Sequence, residues 1–155
     1  MNPIDESILA ADVVRGVSCM FMRHDLLGIS EVPLGNGRRV DLFALSPKGV
    51  VTIVEIKVSK ADLLGDDKWT DYLDYCDRFF WAVPQGFDLA LLDRTAMQPE
   101  RTGLIVADRY DAAIVRDAAI MPLSPARRKA ETLRFARRAA RRLLSGVEPE
   151  DEIAF

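Results

Sequence analysis

Apolar and polar positions alternate most strictly in two runs, RRVDLFALS at residues 38–46 and VVTIVEIKVS at residues 50–59. Period-two alternation rich in Val, Ile, Leu and Phe predicts strands. Between them stands Pro47-Lys48-Gly49, in which Pro presets φ and Gly takes positive φ freely. The two runs therefore read as one hairpin, and the other elements are placed around it. Upstream, Ile8, Leu9, Val13, Val14, Val17 and Phe21 recur at three- and four-residue spacing, predicting an amphipathic helix over residues 4–22. Arg23-His24-Asp25 breaks that pattern. GISEVPL at 28–34 predicts a first strand, joined to the hairpin through Gly35-Asn36-Gly37. Downstream, a short helix is expected over 68–76, with Asp66 or Asp67 as its cap. RFFWAV at 78–83 reads as a fourth strand, 87–97 as an ill-defined helical stretch, GLIVAD at 103–108 as a fifth strand, and 112–121 as containing a further extended segment. Ser124 and Pro125 open a long last helix. The expected organisation is one domain over residues 1–147 with an acidic tail at 148–155.

Three charges interrupt the hairpin: Asp41 on the first arm, Glu55 and Lys57 on the second. If Pro47-Lys48-Gly49 is a three-residue loop, Ser46 pairs with Val50, and counting outward brings Asp41 opposite Glu55. Residues two apart on a strand share a face, which puts Lys57 beside Glu55. Directly opposed carboxylates repel, and burying them without partners costs several kcal/mol. A hard divalent cation such as Mg²⁺ resolves that conflict. On an open strand such a trio would be ordinary solvated surface, but the flanking apolar positions read as covered on both sides. A three-residue loop at Gly35-Asn36-Gly37 would also bring Glu31 opposite Asp41, whereas a two-residue Asn36-Gly37 turn would slip the register and send Glu31 to the other face.

Composition narrows the function classes. At 155 residues, 49% hydrophobic and 29% charged, the chain is long enough to build one real core. No apolar run approaches the ~18 residues of a membrane span, and the acidic start lacks the basic region of a secretory signal. A cytoplasmic, nucleoid-associated protein with no membrane partner is expected. Cys19 and Cys76 lack metal-ligand spacing and read as reduced core residues. His24 is the sole histidine, which disfavours histidine-based zinc or triad chemistry. The net charge of −3 hides a local excess. Between residues 124 and 146 Glu131 is the only acid, against Arg127, Arg128, Lys129, Arg134, Arg137, Arg138, Arg141 and Arg142. Helical periodicity puts Arg134, Arg137, Arg138, Arg141 and Arg142 on one side and Leu133, Ala136, Ala140, Leu143 and Leu144 on the other. The expectation is that the apolar stripe packs on the sheet and the arginines face water, available to phosphate.

The order helix, three strands, helix, strand, with D…E-x-K on the second and third strands, resembles the PD-(D/E)XK nuclease superfamily. In detail it is similar to the MmcB family of bacterial DNA-repair proteins. The matching stretches are EVPLGNGRRVDLFALSPKGVVTIVEIKVS, DDKWTDYLDYCDRFFWAVP, GLIVADRYDAAIVRD and PARRKAETLRFARRAARRL, which together span most of the chain. The resemblance implies a three-layer, restriction-endonuclease-like α/β core with a central mixed sheet flanked by helices. It also implies metal-dependent phosphodiester chemistry and a DNA-repair role, with DNA and other repair proteins as partners. Asp41 and Glu55 would hold Mg²⁺ or Mn²⁺, with the main-chain carbonyl of Ile56 as a further oxygen and Glu31, Glu6 or Asp12 as a third acid. Lys57 would orient water or neutralise charge on phosphate. Lys68 and Tyr72, four apart on the short helix, would meet the neighbouring phosphate, and Arg134, Arg138, Arg141 and Arg142 the DNA backbone. Trp69, Phe79, Phe80 and Trp81 read as core, with base stacking the alternative for Trp69. The competing function is a non-catalytic DNA-binding or adaptor protein that keeps the fold.

Overall fold

The structure, a computed structural model, describes residues 9–147. Residues 4–8 of the expected first helix, Glu6 among them, and the 148–155 tail lie outside the described residues. The elements are α1 (Ala10–Arg23), β1 (Leu27–Pro33), β2 (Arg39–Leu45), β3 (Val51–Ile56), α2 (Lys60–Leu64), β4 (Arg78–Pro84), β5 (Gly103–Ala107), β6 (Ala112–Arg116) and α3 (Pro125–Val147), with 3₁₀ segments at Trp69–Tyr75, Leu89–Leu92 and Thr95–Met97.

The six strands form one sheet in chain order. β1–β2, β2–β3 and β5–β6 are antiparallel, while β3–β4 and β4–β5 are parallel, so the sheet is mixed. The fold is α/β, with helices on both faces. Both hairpin loops are three residues long. Leu34 N donates to Arg38 O at 2.7 Å and Ser46 N to Val50 O at 3.1 Å. In each loop the glycine takes a conformation that a Cβ would disfavour, with φ 81° at both Gly37 and Gly49. The register follows, with Leu42 opposite Val54 and Val32 opposite Val40.

Two apolar layers sandwich the sheet. On one side α1 buries Val13, Val17, Met20 and Phe21 against Leu42, Ala44, Val54, Ile56, Phe80, Ala82 and Ile105. α1 comes close because Gly16 has no side chain; a Cβ there would stand 1.9 Å from the Asp108 carbonyl oxygen. On the other side Trp69, Phe79 and Trp81 pack edge-on or tilted, with ring centroids 4.8–5.4 Å apart. This burial makes Trp69 core rather than a stacking platform.

The last helix corrects the expectation drawn from its pattern. Its inward face carries Arg128, Glu131, Phe135, Arg138 and Arg142, while Leu133, Leu143 and Leu144 are 58%, 74% and 69% exposed and Ala136 and Ala140 face water. The reason is the surface it lands on. That surface presents main-chain groups and Asp77 rather than an apolar plane, and Phe135 against Phe43 at 5.4 Å is its ring contact with the body. Arg128 donates to both Asp77 carboxylate oxygens at 2.6 Å and to Gly49 O at 2.7 Å. Asp77 also accepts from Val51 N at 2.7 Å and Leu123 N at 2.8 Å, tying β3, the segment before α3 and α3 itself to one buried carboxylate.

Asp77→Ala should therefore lower the unfolding free energy by about 3 kcal/mol, measured by urea denaturation, because two main-chain donors and a guanidinium lose their acceptor together. Burial alone would raise the Asp77 pKa, but the hydrogen bonds from Arg128, Val51 and Leu123 outweigh it and hold it below the ordinary value. Its stabilisation is full above the unfolded carboxylate pKa and disappears as pH falls through the lower folded value. The difference between wild type and Asp77→Asn should accordingly shrink on acidification.

Candidate active site

The β2–β3 ladder stops at Leu42 opposite Val54. Beyond it, side chains take over the main-chain bonding. Asp41 N donates to Glu55 Oε1 at 3.0 Å, and Ile56 N donates to Asp41 Oδ2 at 2.8 Å. Each carboxylate thus caps the main chain of the opposing strand, which keeps the two carboxyl groups close together. β3 meanwhile stays paired with β4 through Glu55 opposite Trp81 and Ile56 opposite Ala82, so the gap opens on the β2 side alone.

The neighbouring strand is kinked at the same level. Glu31 has φ 53°, a left-handed conformation that costs a non-glycine residue about 1–3 kcal/mol. Ile29 and Val32 both pack into the aromatic layer although regular alternation would place them on opposite faces; Val40 and Phe43 do the same on β2. Both strands therefore change face at Glu31 and Asp41. The switch brings Glu31 to a cavity of about 500 Å³ shared with Asp41, Glu55, Ile56, Lys57, Asp62 and the small residues Ala10 and Ala11 of α1. The three-residue loop at Gly35-Asn36-Gly37 is the alternative of the two registers that the chain adopts.

Lys57 is buried and paired. Its Nζ lies 2.8 Å from Asp66 Oδ2 and 3.7 Å from Asp62 Oδ1. Burial works against its charge, but the hydrogen bond to Asp66 and the charges of Asp66, Asp62 and Glu55 prevail and raise its pKa. It is a fixed cation at any physiological pH. The acids respond oppositely. Burial first, then the charge of Asp41, pushes Glu55 up to about 9. Burial likewise raises Asp41, against the opposing effects of the Ile56 hydrogen bond and Lys57.

The sequence reading does not single out Asp62 or α2, which carries it, and takes Asp66 only as a helix cap. The available signal is Ser59-x-x-Asp62: Ser59 Oγ accepts from Asp62 N at 3.1 Å and starts the helix. Asp66 Oδ1 accepts from Lys68 N, making a turn rather than the expected helix cap. Lys68 and Tyr72 do not share a face. The segment Trp69–Tyr75 is a 3₁₀ helix, where equivalent positions recur every three residues, so a spacing of four lands about a third of a turn away. Lys68 is exposed. Tyr72 is turned into the body, its pKa pushed up to about 12 by burial and then by the charges of Glu55, Asp66 and Asp41. Asp12, proposed as a third acid, spends its carboxylate on Leu9 N at 3.0 Å, capping α1. Among the described residues no group of three or more His, Cys, Asp or Glu side chains is disposed to hold a metal. The oxygens at hand are the two facing carboxylates of Asp41 and Glu55 and the Ile56 main chain, with Glu31 on the cavity wall.

On α3, Arg134, Arg137 and Arg141 are exposed and, with Arg138, Pro33, Ala130 and Leu133, line a second cavity of about 370 Å³. Arg138 and Arg142, expected to face water, instead donate to main-chain carbonyls: Arg138 to Glu31 O at 3.2 Å, and Arg142 to Glu31 O at 3.2 Å and to Ser30 O. Among the described residues no helix is long and apolar enough to cross a membrane.

The raised acids predict a sign for the pH dependence. The folded state holds a proton on Glu55 that the unfolded chain releases, so stability should fall as pH climbs from about 4.5 toward about 9 in metal-free buffer. Glu55→Gln keeps an acceptor for Asp41 N and removes the charge. Its thermal midpoint in EDTA should exceed that of wild type at pH 8, with the gap closing near pH 5.

A search of curated proteins finds no match. Among solved structures, a protein of unknown function from Silicibacter pomeroyi is 43% identical and superposes with a TM-score of 0.82, over 92% of this chain and 94% of that one. The family model described as DNA repair protein MmcB-like matches residues 4–150. The chain belongs to the MmcB-like family of DNA repair proteins.

Proposed function

We propose that the protein is a metal-dependent nuclease of the PD-(D/E)XK type that hydrolyses phosphodiester bonds of DNA during repair. The observation that carries this reading is the facing pair of carboxylates, half-buried Asp41 and buried Glu55, each bonded to the other strand's main chain, beside the buried Lys57 in one cavity. The donor set fits Mg²⁺ or Mn²⁺, being made of hard oxygens whose charges are unbalanced without a cation, as the raised pKa of Glu55 expresses. Asp41, Glu55 and the Ile56 carbonyl would hold the ion, with Glu31 as the further carboxylate on the same cavity wall. When bound, the ion supplies an activated water and polarises the phosphate. Lys57, kept charged by Asp66, serves as an electrostatic partner for phosphate oxygens and not as a base. The protonated Tyr72 hydroxyl adds a neutral donor nearby. Exposed Arg134, Arg137 and Arg141 suit the DNA backbone, with the wall of the second cavity giving them a common direction.

One observation favours the second reading, a non-catalytic DNA-binding or adaptor role. The Lys57 ammonium is already engaged by two acids. A nuclease panel over duplex, branched and single-stranded DNA with Mg²⁺ or Mn²⁺ separates the two. Under the nuclease reading, wild type cleaves, EDTA abolishes cleavage, and Asp41→Asn and Lys57→Ala each lower the rate at least about 100-fold while remaining folded. Mn²⁺ binding without cleavage on any substrate would leave the adaptor reading standing.

DNA contact has its own check. The Arg137→Ala/Arg141→Ala pair should weaken binding on all sequences alike and flatten the dependence of log affinity on log salt by about two units. An unchanged slope would remove this face from the DNA surface.

A further inference from the structure

Arg138 and Arg142 are used in an unusual way. Both guanidinium groups converge on the main chain of β1, meeting at the carbonyl of Glu31, with Arg142 reaching Ser30 O as well. Arg138 is 6% exposed. Its burial and the proximity of Arg142, Arg141 and Arg39 all work against its charge. Two like charges therefore meet at one main-chain acceptor, with the carboxylate of the same Glu31 an attractive charge for both.

That acceptor belongs to the residue with φ 53°, where β1 changes face. A left-handed Glu persists only when its surroundings hold it there. The hairpin loop fixes the register on one side of Glu31 through Val32 opposite Val40, and Ser30 opposite Leu42 fixes the other side. Neither pairing demands the twist between them. An extended Glu31 would continue the alternation from Ile29 and turn its side chain toward the aromatic layer. The left-handed one puts it on the wall of the cavity with Asp41 and Glu55. There its carboxylate lies 3.9 Å from Arg39, in an exposed and loose pairing that a divalent cation can displace.

We propose that Arg138 and Arg142 are positioning residues: by clamping the Glu31 carbonyl they hold β1 in its face switch and so deliver the Glu31 carboxylate to the Asp41–Glu55 cavity as the third acidic donor for a divalent cation. The inference rests on the metal-site reading above. It makes the last helix part of the site without placing any α3 side chain in it. It also gives a reason for the inverted packing of α3, since only its arginine face can reach two carbonyls at once.

The test uses the full chain and two readouts. The first is backbone conformation, from the ¹³Cα and ¹³Cβ shifts of Glu31 by NMR without metal. The second is Mn²⁺ affinity by calorimetry. In wild type the shifts should be left-handed. In Arg138→Gln/Arg142→Gln they should move to extended values, and Mn²⁺ affinity should drop at least about tenfold, as when an outer-shell partner of a metal ligand is lost. Glu31→Gln should give the same drop, and the triple variant no further one. Should the double variant fail to fold, Arg142→Lys, which keeps the charge but cannot fork across two carbonyls, takes its place with the same shift expected in part. Unmoved Glu31 shifts in the folded variant overturn the clamp. Wild-type affinity in Glu31→Gln, with Asp41→Asn binding lost, overturns the third-donor role. Absence of Mn²⁺ binding by wild type overturns the metal reading and with it the donor role, while the shifts still decide the clamp.

Discussion

A gap in one strand pairing organises this molecule. Where β2 and β3 should continue their ladder past Leu42 and Val54, the carboxylates of Asp41 and Glu55 accept the main-chain hydrogen bonds instead. The exchange keeps the buried N–H groups of Asp41 and Ile56 satisfied, which a simple parting of strands would not. It also fixes two acids against each other in a partly desolvated place, where their charges are mutually unfavourable. The rest of the neighbourhood follows from that arrangement. α1 presents small residues over the gap, β1 twists beside it, and α2 and the turn after it bring Asp62 and Asp66 to hold Lys57.

The electrostatics are divided between two kinds of acid. Asp62 and Asp66 are matched to Lys57 and stabilise its buried charge. Asp41 and Glu55 are matched to nothing of comparable charge, and Lys57 only moderates them. Perturbation of this kind concentrates at functional sites, because it keeps in the folded state a tension that a ligand can relieve. Asp77 shows the contrast within the same chain. It is also buried, but a bidentate arginine and two main-chain donors settle it, and its role is to hold elements together.

Membership of the MmcB-like DNA repair family and the likeness to the Silicibacter pomeroyi structure agree with one another in extent, since both cover nearly the whole described chain. The family supplies the repair context. Under the proposed nuclease reading, the hard-oxygen donors and fixed lysine of the cavity would meet a divalent cation and a phosphodiester. The arginine helix adds phosphate-matching charge on one flank while spending two of its members on the frame of β1.

The local code of the chain was enough to place the central hairpin and, through a three-residue loop, Asp41 against Glu55, because turn chemistry sets register and register sets which residues meet; between the two registers of the Gly35-Asn36-Gly37 turn, and so for Glu31, only the folded structure chose. Period-two patterns likewise located the first five strands to within a few residues and the sixth inside 112–121, and helical patterns located α3 and the end of α1, whose described part begins at Ala10. What the pattern could not decide was where an element's faces would land. α3 is amphipathic by sequence, yet it turns Arg128, Arg138 and Arg142 inward and leaves its leucines in water, since the body offers it carbonyls and Asp77 rather than an apolar surface. The 3₁₀ winding of Trp69–Tyr75 separated Lys68 from Tyr72, a matter of hydrogen-bond spacing invisible in the residue order. Glu31 took a left-handed φ, and Lys57 found Asp62 and Asp66, only through contacts with segments brought near by folding. Sequence fixes what is local, and long-range packing chooses among the faces, twists and partners that local propensity leaves equivalent.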